Sequence, residues 1–242
     1  MTATDFEERT VMLNALRYEL IRIRTLRSTW ILLAAGAAVQ FLVAYMAAGH
    51  SDQTRLWRFV GSFNTTLPLV LLFPMAIVVG AFGHEYRYRT ITTTILTLRS
   101  RPVVMASKAV ISALLAAVTG VLLVGVTLLA QVLRGGAPDD WARIGQVLAA
   151  VVVYGVLSFL VGLGLAALTR NATVAMIVML AVPTVVEGLL SNVLKLKEWW
   201  MAPFFSAASL VDAFKWQSPL PLTALAALVV VGAGTVLARR DV

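Results

Sequence analysis

The sequence has no cysteine, only two histidines and four lysines, and just 13% of its 242 residues are charged. The absence of cysteine excludes disulfides, thiolate metal sites and cysteine nucleophiles. His50 and His84 flank different apolar runs. A zinc site needs three or four convergent ligands, and no H-E-x-x-H motif or His/carboxylate cluster exists. Neither histidine lies within an apolar run, so the buried Ser–His pair of an intramembrane serine protease is missing too. The phosphate-cradling pattern G-x-x-x-x-G-K-[ST] is absent, so the chain is not expected to bind and hydrolyse ATP itself. No residue is therefore assigned as catalytic or metal-ligating, and no enzyme activity is expected of this chain.

The scarcity of charge is the larger exclusion. Soluble chains average about 45–50% apolar and roughly 25% charged residues. At 60% apolar and a mean hydropathy of +0.86, this chain has too little charge to clothe a water-facing surface. Lipid is the alternative solvent. The net charge of +8 would suggest nucleic acid in a polar protein. Here the basic residues sit beside long apolar runs, which places them at a membrane surface, and no nucleic acid is expected. The preference for arginine over lysine, with abundant alanine and valine, resembles the composition encoded by a GC-rich bacterial genome.

Crossing a bilayer takes about 20 predominantly apolar residues. Six stretches qualify, at 30–48, 59–82, 109–133, 144–168, 172–190 and 220–238. The expected fold class is thus an all-α integral membrane protein of six transmembrane helices, with 1–242 as a single transmembrane domain. The second span carries Asn64, Thr65, Thr66, Pro68 and Pro74 and is expected to be kinked. The fifth carries Pro183 and Glu187 and is expected to break near its end. With the N-terminus inside, thirteen Lys and Arg residues fall on the cytoplasmic side and seven outside, which favours cytoplasmic termini. No cleavable leader is expected. The first apolar run begins only at Trp30, after Asp5, Glu7, Glu8, Glu19 and five arginines.

Three segments outside the spans carry information. Residues 11–28 place Leu13, Leu16, Leu20 and Ile23 on one helical face, bordered by Arg17 and Arg24, with Arg22 opposite and Arg27 nearer the apolar side. This pattern fits an interfacial helix whose arginines reach lipid headgroups. A positive flank that is merely helical is the plainer alternative, and Glu19 interrupts the stripe. Residues 84–102 bring Ile91, Ile95 and Leu98 to helical spacing, although the TITTTI run suits an extended chain equally. One face is too apolar for a solvated connector, which points to docking of a cytoplasmic partner. Residues 191–219 hold Trp199, Trp200, Phe204, Phe205, Phe214 and Trp216, a composition suited to the membrane interface.

Inside the spans, ionisable residues are costly and mark ion relays in coupled transporters. Glu187 is the one candidate, and a partner in Lys195 or Lys197 is the simpler expectation. Gly155, Ser158 and Gly162 share a face of the fourth span, which suits close helix packing. Gln40, Asn64, Gln131 and Gln146 suit either interhelix hydrogen bonds or substrate contact.

The arginine-rich segment ending Arg24-Thr25-Leu26-Arg27-Ser28-Thr29-Trp30, Glu85 with Thr90, Arg101 followed by Lys108, and the terminal Arg239-Arg240-Asp241-Val242 resemble the membrane subunit of type-2 ABC exporters. Arg89 stands where that family often has glycine, and Leu98-Arg99 where a proline-containing turn is common. The resemblance implies an N-terminal elbow helix, a short cytoplasmic coupling helix between spans two and three, and an external re-entrant segment between spans five and six. It implies two permease subunits, as a homodimer or related heterodimer, working with ATP-binding cassette ATPase subunits that hold the ATP and magnesium. Partner contacts would come from Glu85, Tyr86, Arg87, Arg89, Thr90, Ile91, Ile95, Leu98, Arg99 and Arg101. Spans two and five would line the route, making Phe63, Asn64, Phe73, Met176 and Met179 pathway candidates. The expected activity is export of a hydrophobic or amphipathic substrate (drug, antibiotic or lipid-like) across the bacterial plasma membrane. A stand-alone secondary transporter or channel, and an accessory scaffold or sensor, are the alternatives.

Overall fold

The computed structural model describes residues 3–49, 53–64, 66–87, 101–192 and 201–239. Among them there is no strand. The helices are α1 (Ala3–Thr25), α2 (Arg27–Ala48), α3 (Arg55–Asn64), α4 (Leu67–Arg87), α5 (Arg101–Arg134) and α6 (Trp141–Thr169). They continue as α7 (Ala172–Ala181), a π turn (Val182–Val186), α8 (Glu187–Asn192), α9 (Pro203–Ala208) and α10 (Leu220–Arg239). α2, α5, α6 and the stretch Ala172–Leu190 are each long and apolar enough to cross a membrane. The bent pair α3–α4 makes a fifth candidate, and the apolar part of α10, Leu220–Val236, is shorter than these. The chain is a multi-pass membrane protein.

Local chemistry explains the departures from six plain spans. The span expected over 59–82 is two helices bent by 53°. Pro68 would deprive a continuous helix of a hydrogen bond and clash with the preceding turn. As the second residue of α4 it occupies a position whose N–H has no helical partner anyway. The Thr66 hydroxyl turns back to the Ser62 carbonyl at the break. Pro74, inside α4, has no N–H to give the Val70 carbonyl. Gly36 of α2 lies against that carbonyl, where a Cβ would stand 3.3 Å from its oxygen. The span expected over 109–133 belongs to a helix of 34 residues, about 51 Å long at 1.5 Å per residue. That exceeds a hydrocarbon core of about 30 Å, so α5 extends beyond it.

Tight connections set the other boundaries. α1 stops at Thr25, Leu26 is extended, and the Trp30 indole donates to the Arg24 carbonyl at 3.1 Å, serving one of the carbonyls a helix end leaves open. Asp140 caps α6 by accepting from the Arg143 amide at 2.9 Å. α6 ends on Arg170 in the left-handed conformation (φ 53°), and Asn171 at once caps α7 through the Thr173 and Val174 amides. Pro183 cannot complete an ordinary α-helical turn, and the chain widens there, with the Glu187 amide bonding to the Val182 carbonyl five residues back.

The central element is α6, which packs against α4, α5, α7 and α10. Its small residues permit this. A Cβ at Gly164 would stand 2.6 Å from Val229 Cγ1 and 3.1 Å from that residue's backbone, and one at Gly162 would meet Met75 Sδ at 3.1 Å. Gly155 and Ser158 are buried on the same helix. Phe59, Phe63, Leu71, Met75, Tyr154 and Phe159 fill the core between these elements.

Candidate functional site

At the end of the bundle where α1 lies, that helix packs on the start of α5. The contact is a buried ion pair: Lys108 Nζ stands 2.5 Å from Glu19 Oε1, and the two side chains are 1% and 5% exposed. Arg22 Nη1 lies 3.8 Å from the other Glu19 oxygen. Isolated buried charges cost several kcal/mol, so such a pair holds its geometry tightly. The acidic residue that interrupts the apolar stripe of α1 is thus the residue that docks it. Ala15 is buried beside it, Leu16 and Ile23 are half-buried, and Leu13, Tyr18, Leu20 and Ile21 are exposed together with Arg17 and Arg24. Arg27 is exposed at the start of α2.

The described ends of the expected coupling segment lie on α4 and α5. Glu85, Tyr86 and Arg87 belong to the last turn of α4, and Arg101 is the first residue of α5. Arg89, Thr90, Ile91, Ile95, Leu98 and Arg99 lie outside the described residues. Lys108 follows Arg101 by two turns of one continuous helix.

A second polar centre sits where α3 and α4 break. Gln40 of α2 donates to Thr127 Oγ1 of α5 at 3.0 Å and, more weakly, to the Ser62 carbonyl of α3 at 3.4 Å. Its carbonyl oxygen accepts from Thr66 Oγ1 at 3.3 Å. One buried amide therefore ties three helices at the bend. Gln131 is buried with both amide atoms unpartnered among the described residues, Gln146 is exposed and accepts from Arg143, and Asn64 is exposed. Of the four amides, Gln40 is the interhelix bond.

The expected pathway residues divide. Phe63 and Met179 are buried in the chain's own core, Phe73 and Met176 are half-buried, and Asn64 is open at the end of α3. The structure packs α4 against α7, so spans two and five are neighbours. They approach closely at Gly83, where a Cβ would collide with the Ala172 side chain.

Glu187 is held by main-chain amides. Its oxygens accept from the Phe204 and Phe205 amides, at 3.1 and 2.6 Å, and not from a lysine side chain among the described residues; Lys195 and Lys197 lie outside them. The carboxylate caps the first turn of α9 and binds α8 to it. No sequence spacing relates Glu187 to Phe204. The one signal was Pro203, a residue suited to the first turn of a helix.

The family model described as "ABC-2 family transporter protein" matches residues 15–186, from the buried face of α1 to the end of the π turn. No curated protein matches the chain.

Proposed function

The chain belongs to the ABC-2 transporter family, and from that premise we propose that it is the permease subunit of an ATP-binding cassette exporter in the bacterial plasma membrane. In this reading both termini are cytoplasmic, six spans cross the membrane, and residues 84–101 form the coupling segment on the ATPase partner. A second permease subunit completes the transporter. ATP and magnesium are held by the ATPase partner, and the cargo is hydrophobic or amphipathic, of the drug, antibiotic or lipid-like class.

The observation that carries the reading is the family match across 172 residues (15–186). The geometry supports a mechanism. Closure of the ATPase subunits moves the coupling segment, and α5 carries that movement as a rigid element to the Glu19–Lys108 contact and to the Gln40 junction. Packed helices change state by discrete shifts of this kind. For the stand-alone secondary transporter, the one candidate relay is Glu187, and it has a structural role as acceptor for two backbone amides.

Co-expression with candidate ATP-binding cassette ATPase subunits of the same genome tests the proposal. A stable complex is expected, with Glu85→Ala or alanine replacement of Ile91 and Ile95 lowering cargo-stimulated ATPase activity severalfold. Failure to form a complex, together with indifference of ATPase activity to these changes, would refute it.

A further inference from the structure

At the end of the bundle away from α1, the outward face of α3 forms one wall of a cleft of about 380 Å³, within the roughly 300–1,000 Å³ range of small-molecule sites. α3 is strongly two-sided. Arg58, Phe59, Ser62 and Phe63 face the core, whereas Trp57, Val60 and Asn64 line the cleft with Leu56. The Trp57 ring lies across Gly61 and keeps 57% of its surface exposed.

Arg143 and Asp212 also line the cleft, and the two differ in what they have left to offer. The Arg143 guanidinium donates to Gln146 Oε1 and the Val211 carbonyl, both at 2.8 Å, and to the Asp212 carbonyl. It acts as a clip that holds the segment after α9 against the start of α6. Asp212 meets Arg143 only through its backbone carbonyl. Its carboxylate forms no hydrogen bond or ion pair among the described residues. The cleft therefore combines an apolar floor, an exposed indole and an unspent carboxylate, with its one cation already engaged by three oxygens.

We infer that this cleft binds an amphipathic organic cation, its apolar body against Leu56, Trp57 and Val60 and its charged head between the Trp57 face and the Asp212 carboxylate. Indole is the best aromatic partner for a cation, and attraction strengthens where both are partly desolvated. The Asn64 amide oxygen supplies a neutral acceptor for a head bearing N–H groups. The inference rests on the proposed permease reading only in treating the bound cation as cargo, since binding itself needs no ATPase.

The test is direct binding to the permease alone in lipid nanodiscs, with rhodamine 6G as the cationic probe and 8-anilinonaphthalene-1-sulfonate as the anionic one. The chain has no cysteine, so Gly145→Cys, where a side chain would meet open space, takes a single fluorophore beside Arg143 whose quenching reports occupancy. Rhodamine 6G affinity should fall about two- to fivefold in Asp212→Asn and in Trp57→Ala, and survive in Asp212→Glu. Affinity for the anion should be unchanged or raised in Asp212→Asn. Equal loss of both probes in Trp57→Ala with Asp212→Asn silent would reduce the cleft to a greasy surface and overturn the inference, as would rhodamine binding indifferent to both changes. Neither result touches the coupling experiment, whose failure would instead remove the exporter reading and leave the binding result standing.

Discussion

At the scale of single residues, the decisive pair is Glu19 and Lys108. Removing one partner of a buried ion pair leaves an uncompensated charge and typically costs about 3–5 kcal/mol, while replacing both by apolar side chains of similar volume is often neutral. Glu19→Met and Lys108→Met should each lower the thermal unfolding temperature of the purified permease strongly, and the double substitution should recover most of the loss. Equal damage in the single and double variants would mean that the contact holds by shape alone. Little of this pair was legible in sequence. Glu19 stood out as a flaw in an amphipathic stripe and Lys108 as one more inner-side cation. They are 89 residues apart, and no local period connects them. Glu187 was legible as a special residue but not in its role, because its partners are main-chain amides that carry no side-chain signature.

At the scale of elements, helix identity was legible and helix ends were less so. Runs of about 20 apolar residues announce a span, and the break in the second span follows from Pro68 with Thr66. α5 begins before the apolar span expected at 109–133, because Lys108, which would bound such a span, has its charge paired from another helix. Glycine placement was readable as packing but not as to which glycine bears the contact. On α6 the structure separates them: Gly164 is pressed against the backbone of α10, whereas Gly145 faces open space. Gly164→Ala must displace α10 and should cost about 1–3 kcal/mol by overpacking. Gly145→Ala should be neutral or stabilise by about 0.5–1 kcal/mol, because alanine restricts the unfolded chain and favours helix. Thermal unfolding of the two variants in one detergent checks this, and a matching loss in both would contradict the assignment of the α6–α10 contact.

At the scale of the whole molecule, the two ends use arginine differently, and this bears on orientation. At the end away from α1, arginines are spent inside the chain. Arg55 reaches the Ala137 carbonyl at 3.5 Å and Asp139 at 3.9 Å. Arg58 donates to the Ala48 carbonyl. Arg134 donates to the Tyr45 carbonyl at 3.1 Å and stacks 4.7 Å above that residue's ring. Arg143 clips the segment after α9. These four explain most of the basic residues that a positive-inside count leaves on the wrong side, since main-chain carbonyls hold them in place of phosphate headgroups. At the α1 end, Arg17, Arg24 and Arg27 are exposed, in position to meet anionic lipid, where each basic residue near the surface contributes about 1 kcal/mol. The asymmetry is therefore stronger than thirteen against seven, and it favours the proposed topology, with α1 on the cytoplasmic side. Because the chain has no cysteine of its own, single substitutions report orientation without background. Gln146→Cys, exposed one turn into α6, should react with a membrane-impermeant maleimide on intact cells. Thr173→Cys, exposed at the start of α7, should react only after permeabilisation. The reverse pattern would invert the topology and place residues 84–101 outside the cell, beyond reach of any ATP-hydrolysing partner.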